Sequence, residues 1–359
     1  MAADLVVKKW NNKKELIDEM ELGLVGDEEI RELIRNDLEK RLKWGYKSNH
    51  EQQLAQLLHF VHSLRGMKIA ADEVESFNIK VYEAPFSFNK IQLGSSLKES
   101  SCYYKHDETT LDEGEIAMME LYTEKAQIKD GQSVLDLGCG LGSLTLYVAN
   151  KYPNCKVTGT TASLWHKDFI ESKCKEQELT NVKIVLGDAT THEMEERFDR
   201  ILAIGLIEHL KNYGLLLGRI SKWLKDDGFL FIQHVCHKTL AYPLVPVDEE
   251  DWIGEYIFPG GTLTMPSASL LLYFQDELSV VDHSTLNGKH FSRTHEEWLK
   301  NIDAKIDEVK EILKSVTKTE EEVVRLTNFW RIFCMFGVEM FGYNEGEEWM
   351  LSQILFKKK

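Results

Sequence analysis

With 359 residues, 43% of them hydrophobic, and a net charge of −16, the chain can bury a full core and is too acidic to favour nucleic acid as a partner. No apolar run reaches membrane-spanning length, and the start MAADLVVKKW lacks a signal-peptide core. The six cysteines are scattered without a CxxC pair, so the expectation is a cytoplasmic protein with no membrane partner and no disulfides.

From the N-terminus the chain reads as helical. Ile30, Leu33, Ile34, Leu38 and Leu42 share one helical face, and Leu54, Leu57, Leu58, Val61 and Leu64 another. Periodicity fades between 70 and 100, where VYEAPFSFNKIQLGSS reads as loop with short helix, and returns in DETTLDEGEIAMMELYTEKAQI. A strand-like run then ends in Asp136. Gly138, Gly140 and Gly142 follow, and an amphipathic helix opens with Leu144, Leu146, Tyr147 and Val148. Glycines let a ligand lie against bare backbone, and the helix start adds unpaired N–H groups and a positive dipole end.

Beyond this elbow strands and helices alternate. KVTGTT, VKIVLGDA, FDRILAIG and GFLFIQHV read as strands; SLWHKDFIESKCKEQ and KNYGLLLGRISKWLKDDG read as helices, the second ending at Gly228. The fold class is α/β, a mostly parallel, doubly wound sheet with ligands beyond its carboxyl ends, where Gly138, Thr160, Asp188, Gly205 and His234 fall. After 236 the alternation stops. A segment holding four of the six prolines reads as a lid. FSRTHEEWLKNIDAKIDEVKEILKSV follows as one long helix with Thr294 and Glu297 as a capping box and Trp298, Ile302, Ile306, Val309 and Leu313 as its buried stripe. LTNFWRIFCMFGVEMFGY is apolar all round, and EEWMLSQILFKKK supplies a terminal strand. The expected division is a helical N-terminal extension (1–125), a core (126–236), a lid with covering helices (237–345) and a closing strand (346–359).

Glu208 and His209 stand side by side after the fourth core strand. An acid and an imidazole there suit proton acceptance or stabilisation of a developing cation; the plain alternative is that Glu208 caps a helix and His209 packs. His234, Cys236 and His237 are close in sequence, but on a strand 234 and 236 share a face and 237 points away, so no metal is expected.

The D-x-G-C-G-x-G elbow with Asp188 after the later strand resembles the S-adenosylmethionine (SAM) pocket of Rossmann-like class I methyltransferases, although a bare glycine triplet also serves dinucleotide folds. That resemblance implies a seven-stranded sheet, SAM as cofactor with S-adenosylhomocysteine as product, and a binding set of Ser101, Asp136, Gly138, Gly140, Thr160, His166, Asp188, Ala189 and Ile204. RLKWGYK, VYEAP, TTLDEGEIAMMELY, DGQSVLDLGCG, EHLKNY, HVCHKT, SASLLLYFQD, GKHFSRT and GEEWM resemble the plant benzylisoquinoline-alkaloid N-methyltransferases, relatives of the cyclopropane-fatty-acid synthases. The resemblance implies a small alkaloid as partner, Glu208 and His209 as catalytic pair by the substrate nitrogen, and a pocket walled by Tyr82, Glu83, Gly205, His234, Phe258, Phe329, Trp330 and Phe333. A homodimer is admitted.

This sequence departs from the family pattern twice. Gly205 replaces an acid that the coclaurine enzymes carry three residues before the catalytic Glu, and His166 stands where relatives often have a ribose-facing Gln. Cys102, Glu208 and His234 match the bicarbonate-holding residues of the cyclopropane synthases. The expectation is methylation of a tertiary amine of the tetrahydroprotoberberine type, such as stylopine or canadine. The alternatives are coclaurine- or pavine-type methylation and, more distantly, a lipid-cyclopropanating enzyme.

Overall fold

The computed structural model describes residues 10, 12–70, 84–257 and 263–359. Helices α1 (Lys13–Glu21), α2 (Asp27–Gly45) and α3 (His50–Arg65) come first, then α4 (Phe86–Gln92) and α5 (Leu111–Lys125). The core runs β1 (Ser133–Leu137), α6 (Ser143–Lys151), β2 (Lys156–Thr161), α7 (Leu164–Glu176), β3 (Val182–Leu186), β4 (Phe198–Ile204), a 3₁₀ turn (Ile207–His209), α8 (Tyr213–Trp223) and β5 (Leu224–His237). After it come β6 (Tyr242–Pro243), α9 (Ile253–Tyr256), β7 (Thr264–Met265), β8 (Leu278–Leu286), α10 (Lys289–Ala304), α11 (Ile306–Leu313), α12 (Glu320–Gly346) and β9 (Trp349–Lys358).

The seven-stranded sheet has the order β3-β2-β1-β4-β5-β9-β8, parallel from β3 to β5 and antiparallel where β9 enters between β5 and β8. Consecutive parallel strands need helical crossovers, which is why the sequence alternates as it does. Its middle is dry: Leu135, Ile201, Leu202, Leu230 and Ile232 are fully buried.

A second core lies over the sheet. Ile30, Ile34 and Leu38 of α2 pack with Trp330, Ile332 and Met335 of α12 and with Trp298 and Ile302 of α10. Arginines bind the same layers at its rim: Arg31 reaches Glu296 and Glu339, both at 3.0 Å, and Arg331 bridges Asp27 and Asp303. The N-terminal helices and the late helices thus form one roof.

Four sequence expectations are corrected here. Thr294 and Glu297 form no cap: α10 begins at Lys289, and Thr294 lies mid-helix with its hydroxyl donating to the His290 carbonyl. The capping box is Thr110 with Glu113, at the start of α5. The long helix breaks at Lys305 (φ −127°, ψ 32°) into α10 and α11. The helix expected to reach Gly228 stops at Trp223, because Leu224 already pairs with Phe198 as β5 enters the sheet. Strand β8 was not expected. It is an edge strand in which only Leu278 is buried, so it carries no apolar alternation.

Candidate active site

The first part of the site is the turn from β1 to α6. The Cys139 N–H donates to the Thr160 carbonyl at 2.8 Å and the Gly138 N–H to Thr160 Oγ1 at 3.1 Å, fastening the turn to β2. Asp136 is buried and accepts from Thr145 Oγ1 at 2.7 Å, so it braces the elbow, and burial lifts its carboxyl to about 6. Gly140 has φ +52°, and a Cβ built on it would stand 2.6 Å from Glu99 Oε2. Bare backbone therefore faces a half-buried carboxylate, the Glu99 side chain, whose pKa desolvation lifts to about 7. A cradle of this kind, with a helix N-terminus on one side and an acid on the other, fits an amino-acid-like group carrying both charges.

The loop bearing Glu99 and Ser101 is itself tightly held. Buried Glu115 on α5 accepts from the N–H groups of Gly94, Ser96 and Lys98 at 3.1, 2.8 and 3.2 Å. Lys98 donates to Ser100 Oγ at 2.6 Å and to the Ser101 carbonyl at 2.7 Å. Ile204 ends β4 in the sheet core; His166 is buried in the first turn of α7, and burial holds its ring below the usual imidazole range. Asp188 lies exposed beyond β3, accepting from the Thr190 N–H at 2.6 Å, and Ala189 beside it is half-buried. The expected cofactor set thus gathers at the ends of β3, β2, β1 and β4, four neighbouring strands.

The second part follows β4. Among the described residues, a Cβ added at Gly205 (φ +64°) would meet nothing within 4 Å, so none of them occupies the place of an acid there. Glu208 sits in the 3₁₀ turn; its Oε1 accepts from the Val235 N–H at 2.7 Å, while Oε2 is buried without a partner among the described residues. Burial raises this carboxyl to about 7. His209 beside it is pushed down to about 4 by burial and by nearby Lys211. His234 donates from Nδ1 to the Val235 carbonyl at 2.8 Å, leaving Nε2 a buried acceptor without a partner among the described residues.

The third part is the roof. A cavity of about 200 Å³ runs from Glu99 and Ser101 past Gly205, Glu208, His209 and His234 to Trp330 and Phe333 on α12. Phe329 does not line it. That ring stands behind the wall, edge-on to Tyr256 at 5.6 Å and to Trp330 at 5.8 Å. Tyr82, Glu83 and Phe258 lie outside the described residues. Glu208 and His234 line the cavity but Cys102 does not; its backbone N–H donates to Thr294 Oγ1 at 3.0 Å. Sequence reading missed Glu99, Phe291, His295, Trp298 and Phe341, all of which line the cavity. Only the GKHFSRT motif pointed towards α10. Among the described residues no group of three or more His, Cys, Asp or Glu could hold a metal ion.

Comparison with known proteins fits this geometry. Residues 73–329 match the family model described as mycolic acid cyclopropane synthetase. The (S)-coclaurine N-methyltransferase of Papaver somniferum is 65% identical over 97% of this chain and 99% of that protein. The chain belongs to the plant benzylisoquinoline-alkaloid N-methyltransferases. The (S)-tetrahydroprotoberberine N-methyltransferase of Eschscholzia californica is 44% identical over 96% of this chain and 98% of its own length. A crystal structure of coclaurine N-methyltransferase bound to N-methylheliamine and SAH matches with a TM-score of 0.95 at 57% identity, covering 96% of this chain and 99% of that one. The N-methyltransferase family and the class I SAM-methyltransferase fold expected from the motifs are therefore those observed.

Proposed function

We propose that this N-methyltransferase acts on a tertiary amine of a benzylisoquinoline-type alkaloid, the tetrahydroprotoberberines being one such kind, and yields a quaternary ammonium. The observation that supports the reading is the half-satisfied Glu208 carboxyl beside an open Gly205: among the described residues, the turn that follows β4 brings one acid, not two, to an aromatic cavity. SAM supplies an electrophilic methyl group when bound, and the elbow of Gly138 and Gly140 with Glu99 and Ser101 is the cradle that would hold it. The chain's own part is positioning and proton handling.

An alkaloid amine arrives protonated, and its lone pair is available only once that proton leaves. Glu208 Oε2 is placed to take it, and with a pKa of about 7 the carboxyl exchanges protons near neutrality. His209, held neutral, adds no competing positive charge. Trp330 and Phe333 line the cavity, and an aromatic ring face turned to the cationic nitrogen would be worth about 0.5–2 kcal/mol. A tertiary amine has no further proton to lose after transfer, so a single carboxylate suffices.

A second reading, a secondary amine of the coclaurine kind, is favoured by the higher identity to the Papaver coclaurine enzyme, 65% against 44% for the tetrahydroprotoberberine enzyme. Gly205→Glu separates the two. It restores the second acid at a cost of about 1 kcal/mol for a side chain in the left-handed backbone region. We expect the wild type to have the higher kcat/KM on a tertiary amine and the variant to shift the ratio towards a secondary amine. A wild type that already prefers the secondary amine, or an unchanged ratio, would hand the assignment to the coclaurine-type reading.

A further inference from the structure

Two polar side chains in the cavity roof take no part in the proton handling described above. His295 and Trp298 lie one turn apart on α10 and line the same cavity as Glu208. They are only 4% and 3% exposed, yet His295 Nδ1 and Trp298 Nε1 have no hydrogen-bond partner among the described residues. Buried polar atoms are nearly always paired, so two orphans on one helix, both at a ligand cavity, mark a place for a polar group of the ligand.

The imidazole is held rigidly. Phe291, Phe333 and Phe341 surround it with ring centroids at 4.5, 5.8 and 6.2 Å. On its α12 side a Cβ at Gly337 would collide with the ring, so only glycine leaves it room. Thr294, next in the chain, accepts from the Cys102 N–H at 3.0 Å and fixes α10 against the loop below. None of this packing needs a nitrogen. Aromatic contact alone would be met by any planar ring of this size, and the unpaired Nδ1 is then left without a structural reason.

We propose that His295 and Trp298 form a subsite that reads a phenolic hydroxyl on an aromatic ring of the alkaloid. The inference rests on the cavity being the alkaloid site argued above. Burial pushes the His295 ring down to about 3, so it is neutral, with one nitrogen accepting and the other donating. The indole N–H only donates. A phenol both donates and accepts, and it satisfies the pair together: its O–H goes to His295 Nδ1, with the ring proton on Nε2, and its oxygen accepts from Trp298 Nε1. A methyl ether can only accept and would leave the imidazole acceptor unpaired. The subsite therefore discriminates by the degree of O-methylation, a property of the substrate separate from its amine class.

The test compares reticuline, which has free phenols, with laudanosine, its fully O-methylated counterpart; both are tertiary amines. Wild type, His295→Phe and Trp298→Phe are measured by steady-state kinetics and by calorimetric binding in the presence of S-adenosylhomocysteine. We expect His295→Phe to lower the reticuline-to-laudanosine ratio of kcat/KM by roughly tenfold, chiefly through KM, and Trp298→Phe to lower it by less. A ratio unchanged in both variants, with their thermal unfolding as cooperative as the wild type's, overturns the subsite. If the wild type turns over neither alkaloid, calorimetry decides: His295-dependent binding of reticuline upholds the subsite while the amine reading fails. Equal binding by both proteins, or none, refutes it.

Discussion

Glu208 has one oxygen engaged in the fold and one open to the chemistry proposed for it. One carboxylate oxygen fastens the 3₁₀ turn to β5 through the Val235 N–H and the other stays free in the cavity, so the structural and the catalytic readings of this acid both have an atom. Glu208→Gln keeps the acceptor for Val235 and removes the base. Turnover should fall by about two orders of magnitude or more with SAM affinity little changed. A loss of stability with turnover intact would leave only the brace. The pH profile gives a second check. A carboxyl at about 7 must be deprotonated to act, so kcat should rise between pH 6 and 8, and the glutamine variant should lose that limb. Gly140 is the matching residue on the cofactor side. Gly140→Val strains a positive-φ position and drives a side chain at Glu99, and calorimetry should find SAM binding abolished in a still-folded protein. Binding at wild-type strength would remove the elbow from the site.

Among the elements, the loop between α4 and α5, which carries Glu99 and Ser101 of the proposed cofactor cradle, is held by a residue outside the cavity lining. Glu115 accepts three backbone N–H bonds from this loop. Glu115→Ala leaves two buried donors and one half-buried donor without an acceptor, so it should cost about 3 kcal/mol of stability and weaken SAM binding. Thermal unfolding and calorimetry read the two effects, and an unaltered SAM affinity would show that the loop does not shape the site. Local signals account for what was legible in the sequence. The β1 elbow and the strands β2 to β5 are short runs rich in β-branched and apolar residues, set off by turns and alternating with helices, and Glu208 lies just beyond one of them. The remainder depends on distant parts of the chain meeting. β8 is recognisable only by its place beside β9, and Phe329 and Phe333 differ in role only because Tyr256 covers one of them. Glu99 opposite Gly140, and His295 against Gly337, are separated by about forty residues each and leave no periodic mark.

Over the whole molecule, all six cysteines are free and buried, and burial raises every thiol above its ordinary value. A charged maleimide should therefore label none of them quickly in the native protein and all six once it is unfolded. Among the described residues no helix is long and apolar enough to cross a membrane. The acidic surface is disposed to draw cationic amines and to repel anionic lipid. Charge, roof and half-free carboxylate converge on transfer of a methyl group to an amine nitrogen. The direct measurement is a mass-resolved incubation of the enzyme with methyl-deuterated SAM, a mixture of secondary and tertiary benzylisoquinoline amines, and unsaturated phospholipid with bicarbonate. The account predicts one labelled methyl on an amine nitrogen, more on the tertiary than on the secondary amine, and none of it in Glu208→Gln above a trace. Label appearing as a methylene in the lipid, with the amines untouched, would contradict it.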